Sequence, residues 1–120
     1  MLKYMKKDLN YSIKKILAFR NARKWKQFHN PKDLAISLSL EASEVLEHFQ
    51  WKSKEETEEY IKTHKEHIGE ELADVFYWVL LMSHDLKIDI IDALDKKMKK
   101  NEEKYPIKKA KGKHIKYNKL

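Results

Sequence analysis

The chain contains no cysteine and only two glycines and two prolines. The lack of cysteine excludes a disulfide framework and a thiolate metal site, and it permits a reducing compartment. The shortage of turn-forming residues argues against a β-rich fold with many hairpins. Residues 1–8 lack the apolar stretch of a signal peptide, and no uncharged apolar run is long enough to cross a bilayer. We therefore expect a cytoplasmic protein without a membrane partner.

Charged residues make up 38% of the chain and hydrophobic residues 42%, with many lysines, glutamates, leucines and isoleucines. This mixture is typical of amphipathic helices that pack in layers. A chain of 120 residues is most simply a single domain with one core. The composition therefore predicts an all-α fold, and the helical periodicity divides it into four or five helices.

Capping residues predict where several of these helices begin. Asn30, followed by proline, is an expected N-cap, Ser53 begins a capping box, and Asp89 is the expected N-cap of the last long helix. The predicted helices cover about residues 9–25, 31–51, 66–84 and 90–104, with a short, charged and exposed segment over 54–64.

Positive charge is concentrated at the C-terminal end. The formal net charge is +7, yet residues 107–120 hold six lysines and no acidic residue, and the rest of the chain is nearly neutral. We therefore divide the chain into one domain over residues 1–106 and a basic tail over 107–120, which we expect to be irregular because Pro106 ends the last helix. Such a tail is usually a solvated end, or an arm over a neighbouring subunit or an anionic ligand.

Two pairs of carboxylates interrupt apolar stretches: Glu41 with Glu44, and Glu71 with Asp74. Residues three apart lie on one face of a helix, so each pair presents two carboxylates side by side. Asp74 is the one charged residue between positions 72 and 82, and we expect it to be buried because a helix that is apolar all round is buried. Burying uncompensated carboxylates is costly, so two such pairs together predict a bound divalent cation.

The donor atoms narrow the choice of metal. Ligation by oxygen alone favours Mg²⁺, Mn²⁺ or Ca²⁺ over zinc or copper, and Mg²⁺ commonly shares its coordination shell with substrate phosphates. A di-iron bundle would need Glu-x-x-His twice, and this spacing does not occur in the sequence. The structural alternative is an ion pair between these acids and Arg20 or Arg23 on the first helix.

Aromatic residues flank the second helix, with Trp25 and His29 before it and Trp51 after it. An aromatic residue beside a chain reversal is usually part of the core, but aromatic faces also stack well on nucleic-acid bases. Both interpretations are therefore open for these residues.

On the last helix, Lys97, Asn101 and Tyr105 recur every four residues and so share one face. A lysine, an amide and a phenol in line could hold a triphosphate and a sugar, or could be ordinary surface.

Taken in order, these motifs resemble those of the MazG-like all-α nucleoside triphosphate pyrophosphohydrolases, over roughly residues 25–106. The resemblance is carried by Glu41-x-x-Glu44, Phe49-Gln50-Trp51, Glu71-x-x-Asp74 and Lys97-x-x-x-Asn101-x-x-x-Tyr105-Pro106. Trp25-x-x-x-His29 and Trp51 make it closest to the small single-domain members that cleave dCTP-like substrates. The family implies a four-to-five-helix bundle that packs into a homodimer or homotetramer.

The resemblance also implies hydrolysis of a nucleoside triphosphate, dCTP-like or modified, to a monophosphate and pyrophosphate with Mg²⁺, for which Mn²⁺ can substitute. The implied site is Glu41, Glu44, Glu71 and Asp74 for the metal; Trp25, His29, Trp51 and Trp78 around the base and sugar; and Lys97, Asn101 and Tyr105 on the phosphates and sugar. Glu44 or Glu47 is the expected general base, since both lie on the acidic face. The rival function is a non-catalytic helical module that binds nucleic acid through its tail. That rival leaves Asp74 unexplained, so nucleic acid is not the expected partner.

Overall fold

The computed structural model describes residues 7–120, and all regular secondary structure in this range is helical. The α-helices are α1 (Leu9–Ala22), α2 (Pro31–Glu47), α3 (Lys54–Asp85), α4 (Ile90–Lys104) and α5 (Ile107–Ala110), with 3₁₀ turns at Lys26–Phe28 and Tyr117–Lys119. The predicted all-α fold is confirmed. Within residues 7–120, none of the helices has the length and apolar character needed to cross a membrane.

The predicted helix starts are confirmed by their caps. The side chain of Asn30 accepts a hydrogen bond from the backbone N–H of Asp33 at 2.9 Å. Ser53 and Glu56 form a reciprocal capping box, with both bonds at 3.1 Å. Asp89 caps α4 in the same way. Local signals determine helix ends less well, and α1 and α2 both end before their predicted limits, at Ala22 and Glu47.

A kink at His64 joins two predicted segments into one long helix, α3. His64 has φ −124° and ψ 16°, which is not helical. Its ring nitrogen Nδ1 lies 3.0 Å from the carbonyl oxygen of Tyr60, the acceptor that the backbone N–H of residue 64 would use in a regular helix. The two rings also stack, with centroids 3.8 Å apart. A side chain that occupies the helical acceptor explains why the helix bends here without ending.

The helices fall into two compact units that meet in sequence at residues 87 and 88. In the first unit, α3 packs against both α1 and α2. Its core is small, because the only apolar side chains buried among the described residues are Leu34, Leu80 and Leu81. The guanidinium of Arg20 is buried in the same unit and is paired with Asp85 at the end of α3.

The expectation that α3 is buried on most sides between residues 72 and 82, and Asp74 with it, is wrong among the described residues. Asp74 is exposed, Leu72 is 53% exposed and Phe76 is 49% exposed. In the first unit, α1 and α2 are the helices that pack on α3, and they cover only part of its circumference. The apolar stretch therefore includes an exposed apolar surface in the described part of the first unit, which α1 and α2 leave uncovered.

The second unit contains α4, α5 and the segment that follows them. The prediction of an irregular tail is wrong in part, since Pro106 directly precedes the short helix α5, and Tyr117–Lys119 form a 3₁₀ turn. Between these elements the chain bends at Gly112, where the backbone N–H of Lys113 donates to the carbonyl of Ala110 at 2.9 Å. The tail is thus a folded segment of the second unit.

Candidate active site

Three of the four predicted metal ligands come together where α2 packs on α3. Glu41 and Glu44 project from one face of α2, and Glu71 projects from α3. One carboxylate oxygen from each residue lies within 4.8 Å of the others. The three-residue spacing on α2 and the packing of the two helices therefore produce a cluster of three acids.

The electrostatics of this cluster favour a positive ligand. A hydrogen bond with the Glu44 carboxylate, supported by partial desolvation and by the nearby charges, raises the pKa of Glu71 to about 7. Burial, and then the proximity of Glu44, raises the pKa of Glu41. Carboxylates held this close resist simultaneous ionisation, and a divalent cation would remove that repulsion.

Glu41 shows the clearest sign of an absent partner. Its Oε2 atom is buried and has no hydrogen-bond partner, although buried carboxylate oxygens are normally satisfied. Among residues 7–120, no ion pair connects a lysine or arginine with any of the three acids. A site built only from carboxylate oxygens is of the kind that holds a hard cation such as Mg²⁺ or Mn²⁺, so the residues fit such an ion.

The structural alternative, in which Arg20 or Arg23 neutralises these acids, is wrong. Arg20 instead makes two hydrogen bonds to Asp85, at 2.7 and 2.8 Å. Arg23 lies over the ring of Phe19 at 3.8 Å and donates to the carbonyl of the same residue. Both arginines are therefore occupied elsewhere, and the acidic cluster keeps its negative charge.

A cavity of about 380 Å³ adjoins the acidic cluster, with Glu41 and Asp74 both in its wall. Asp74 thus borders the cavity and is not one of the three clustered ligands. Much of the remaining wall is aromatic and comes from α1, the segment after it and α3: it comprises Phe19, Trp25, Tyr77 and Trp78, together with Lys15 and Ile16. A pocket with apolar aromatic walls and acids at one side can hold a flat ring next to a metal-bound polar group.

The four residues predicted to bind the base and sugar lie in three different places: in the cavity wall, behind it and outside it. Trp25 and Trp78 line the cavity. His29 lies behind Trp78, with ring centroids 5.5 Å apart and its Nδ1 3.4 Å from the Arg20 guanidinium. Burial, assisted by Arg20, lowers the pKa of His29. Trp51, in the connection between α2 and α3, is 86% exposed and does not line this cavity.

The other predicted residues lie outside this cluster. Glu47 is the last residue of α2 and is exposed. Lys97 and Asn101 are on α4 and Tyr105 is its C-cap, so all three belong to the second unit. Their spacing along α4 is the predicted one.

The helical periodicity missed several residues that line the cavity. Ile16 and Phe19 on α1, and Tyr77 on α3, line the cavity but are not among the predicted site residues. Phe19 meets Trp25 edge to face at 5.6 Å and Tyr77 at 6.2 Å. Core positions and pocket walls share the same apolar pattern, so helical periodicity does not separate them. The concentration of aromatic residues near Trp25 and Trp78 is the signal that could have found them.

Comparison with known proteins gives a consistent result. A family model described as MazG-like matches residues 36–120, which include the basic tail. Two mammalian relatives are named dCTP pyrophosphatase 1: the mouse protein is 35% identical and the human protein 32% identical, each over 104 residues. These alignments cover 85% of this chain and 61% of each relative, so the chain spans about three fifths of their length.

The fold also matches a solved structure. The crystal structure of a pyrophosphatase from Archaeoglobus fulgidus superimposes with a TM-score of 0.80 at 38% sequence identity. The match covers 86% of this chain and 96% of that one.

Proposed function

This chain belongs to the MazG-like family, and from that premise we propose that it is a nucleoside triphosphate pyrophosphohydrolase that depends on Mg²⁺ or Mn²⁺. The proposed reaction converts a nucleoside triphosphate to its monophosphate and pyrophosphate. The observation that carries the proposal is the cluster of Glu41, Glu44 and Glu71 beside an aromatic cavity. The names of the mammalian relatives favour dCTP or a modified relative of it as substrate. The proposed location is the cytoplasm, where nucleoside triphosphates are made.

The acidic residues would hold the metal and accept a proton. Glu41, Glu44 and Glu71 would supply ligands directly, while Asp74, in the cavity wall next to Glu41, would complete the site from the substrate side. The bound ion would neutralise phosphate charge and activate a water for attack on the α-phosphorus. The proton of that water would pass to Glu44 or Glu47, which lie three residues apart on α2.

The aromatic cavity would hold the base. Stacking on an aromatic side chain contributes about 1–3 kcal/mol per base, and Trp25 and Trp78 are both in the cavity wall. His29 would support Trp78 from behind. Trp51 is also proposed to border the base, although it lies outside the cavity wall in the single chain. The face of α4 that carries Lys97, Asn101 and Tyr105 would bind phosphates and sugar.

The reaction can be tested with a panel of canonical and modified nucleoside triphosphates in the presence of Mg²⁺. We expect pyrophosphate as the first product, with dCTP-like substrates among the fastest. The same panel with Trp25→Ala should show a KM raised about tenfold or more for the preferred base. The exposed Phe28, in the neighbouring 3₁₀ turn, supplies the matched control Phe28→Ala, which should leave KM unchanged. Release of phosphate before pyrophosphate would overturn the proposal.

We further propose that the chain works as a homodimer or homotetramer. Leu40 and Leu46 on α2, and Leu72 and Phe76 on α3, are each about half exposed or more in the single chain. So few apolar side chains are buried among the described residues that a second copy is the natural cover for these faces. Light scattering of the full chain should give at least twice its mass of 14.5 kDa. A monomeric mass at micromolar concentration would contradict this expectation.

A further inference from the structure

The basic tail folds back onto the end of α4. It bends at Gly112, whose φ of +75° lies in the left-handed region that glycine adopts without strain. The backbone N–H of Tyr117 then donates to the hydroxyl oxygen of Tyr105 at 3.2 Å, and the two rings meet edge to face with centroids 6.1 Å apart. The ammonium of Lys104 lies 4.7 Å from the centre of the Tyr117 ring. These contacts fix the tail in one arrangement.

The folded tail borders a basic cavity that is open to solvent, since all the residues in its wall are exposed. Its volume is about 400 Å³, and its wall consists of Tyr105 and the tail residues Lys113, His114, Ile115 and Lys116. In the part of the chain that the structure describes, no ion pair engages either lysine. Residues 107–120 contain no acid that could neutralise them. Two uncompensated lysines beside one cavity are suited to an anion.

The hydroxyl of Tyr105 adds a donor to this basic cavity. A phenol oxygen that accepts one hydrogen bond still carries its own proton, so Tyr105 can donate that proton to a ligand. Tyr105 is also the last member of the row Lys97, Asn101 and Tyr105. The row and the tail therefore meet at one residue, which also lines the basic cavity.

We propose that the tail is a polyphosphate-binding element in which Lys113, Lys116 and the Tyr105 hydroxyl bind the oxygens of a pyrophosphate or triphosphate group. That the bound group is the substrate's own phosphate chain rests on the proposed function. The binding of an anion by the tail does not. Nucleic acid is the less suitable ligand, because the cavity wall offers one tyrosine ring and not a series of aromatic rings on which successive bases could stack.

The test is a calorimetric titration of the full chain with inorganic pyrophosphate in EDTA at physiological salt. Replacing both lysines, in Lys113→Gln/Lys116→Gln, should weaken binding about tenfold. The matched control is Lys108→Gln/Lys109→Gln, which removes the same charge from α5 and should change binding less than about twofold because neither side chain lines the cavity. Tyr105→Phe should weaken binding severalfold.

An equal loss in both lysine pairs would show a response to net charge alone and would overturn the inference, as would unchanged binding in both. Tighter binding of a single-stranded oligonucleotide, lost equally in the two pairs, would also overturn it and would favour a nucleic-acid arm. The hydrolysis assay separates this inference from the proposed function. If no nucleotide is cleaved but pyrophosphate binding depends on Lys113 and Lys116 as expected, the proposed function fails and the anion site stands.

Discussion

Replacing Glu41 by glutamine is expected to lower the rate of nucleotide hydrolysis by about a hundredfold or more while the helices remain intact. The substitution keeps the shape of the side chain and removes the charge that would bind the metal. Glu41 is the member of the cluster with a buried oxygen that lacks a hydrogen-bond partner, so it has the most to gain from a cation. Turnover at saturating Mg²⁺ measures the first effect, and circular dichroism checks the helices.

Thermal unfolding adds a readout that does not depend on activity. Mg²⁺ should raise the unfolding midpoint of the original chain, because a ligand bound only by the folded state stabilises it, and this shift should shrink in Glu41→Gln. Glu70→Gln is the matched control, since Glu70 neighbours Glu71 on α3 but is exposed and outside the cluster. Asp74→Asn should also lower turnover, from its place in the cavity wall. Near-normal turnover of Glu41→Gln with Mg²⁺ would place the metal elsewhere.

The start of each long helix after α1 could be predicted because its signals are local. Asn30, Ser53 and Asp89 bond to backbone N–H groups three residues away, so each cap needs only its own segment. The sequence pattern predicts separate segments over 54–64 and 66–84, and the structure has a kink at His64 within one continuous helix. A side chain that takes over one backbone acceptor bends the helix there, and the apolar pattern alone does not distinguish bending from termination.

The acidic cluster shows how far residue spacing within one helix can predict a site. The three-residue spacing correctly put Glu41 and Glu44 on one face, and the structure has both next to Glu71. The apolar stretch around Asp74 predicted that this residue would be buried, whereas Asp74 is exposed at the cavity. Which side of α3 faces α2, and which side stays exposed, depends on packing between helices. Neither property is encoded in the spacing.

The pairing of Arg20 with Asp85 had no local signal. The two residues are 65 positions apart, and the charge pattern offered Arg20 several acids, including those of the cluster. Long-range pairs of this kind become visible only once the helices are assembled. The correct partner matters for function, because it removes the arginine from the acidic site and leaves that site available to a cation.

Replacing Asp85 by asparagine is expected to lower the free energy of unfolding by about 3 kcal/mol. Arg20 is 1% exposed, and its Nε atom already lacks a hydrogen-bond partner, so without Asp85 the guanidinium would be a buried and uncompensated charge. Chemical denaturation measures the loss. The surface pair of Glu59 and Lys62 is the control, since both side chains are more than two-thirds exposed and Glu59→Gln should cost less than about 0.5 kcal/mol.

A double variant distinguishes loss of pairing from loss of packing. Arg20→Met/Asp85→Leu removes both charges and keeps apolar volume, so it should recover most of the stability that Asp85→Asn loses. A double variant no more stable than the single one would contradict the ion-pair explanation.

The pH dependence of the stability has a defined sign. The hydrogen bond from Arg20 lowers the pKa of Asp85, so the contribution of the pair is complete above the ordinary aspartate range and is lost as the pH falls through the folded-state pKa. Asp85→Asn should therefore lose less stability than the original chain on acidification below about pH 4.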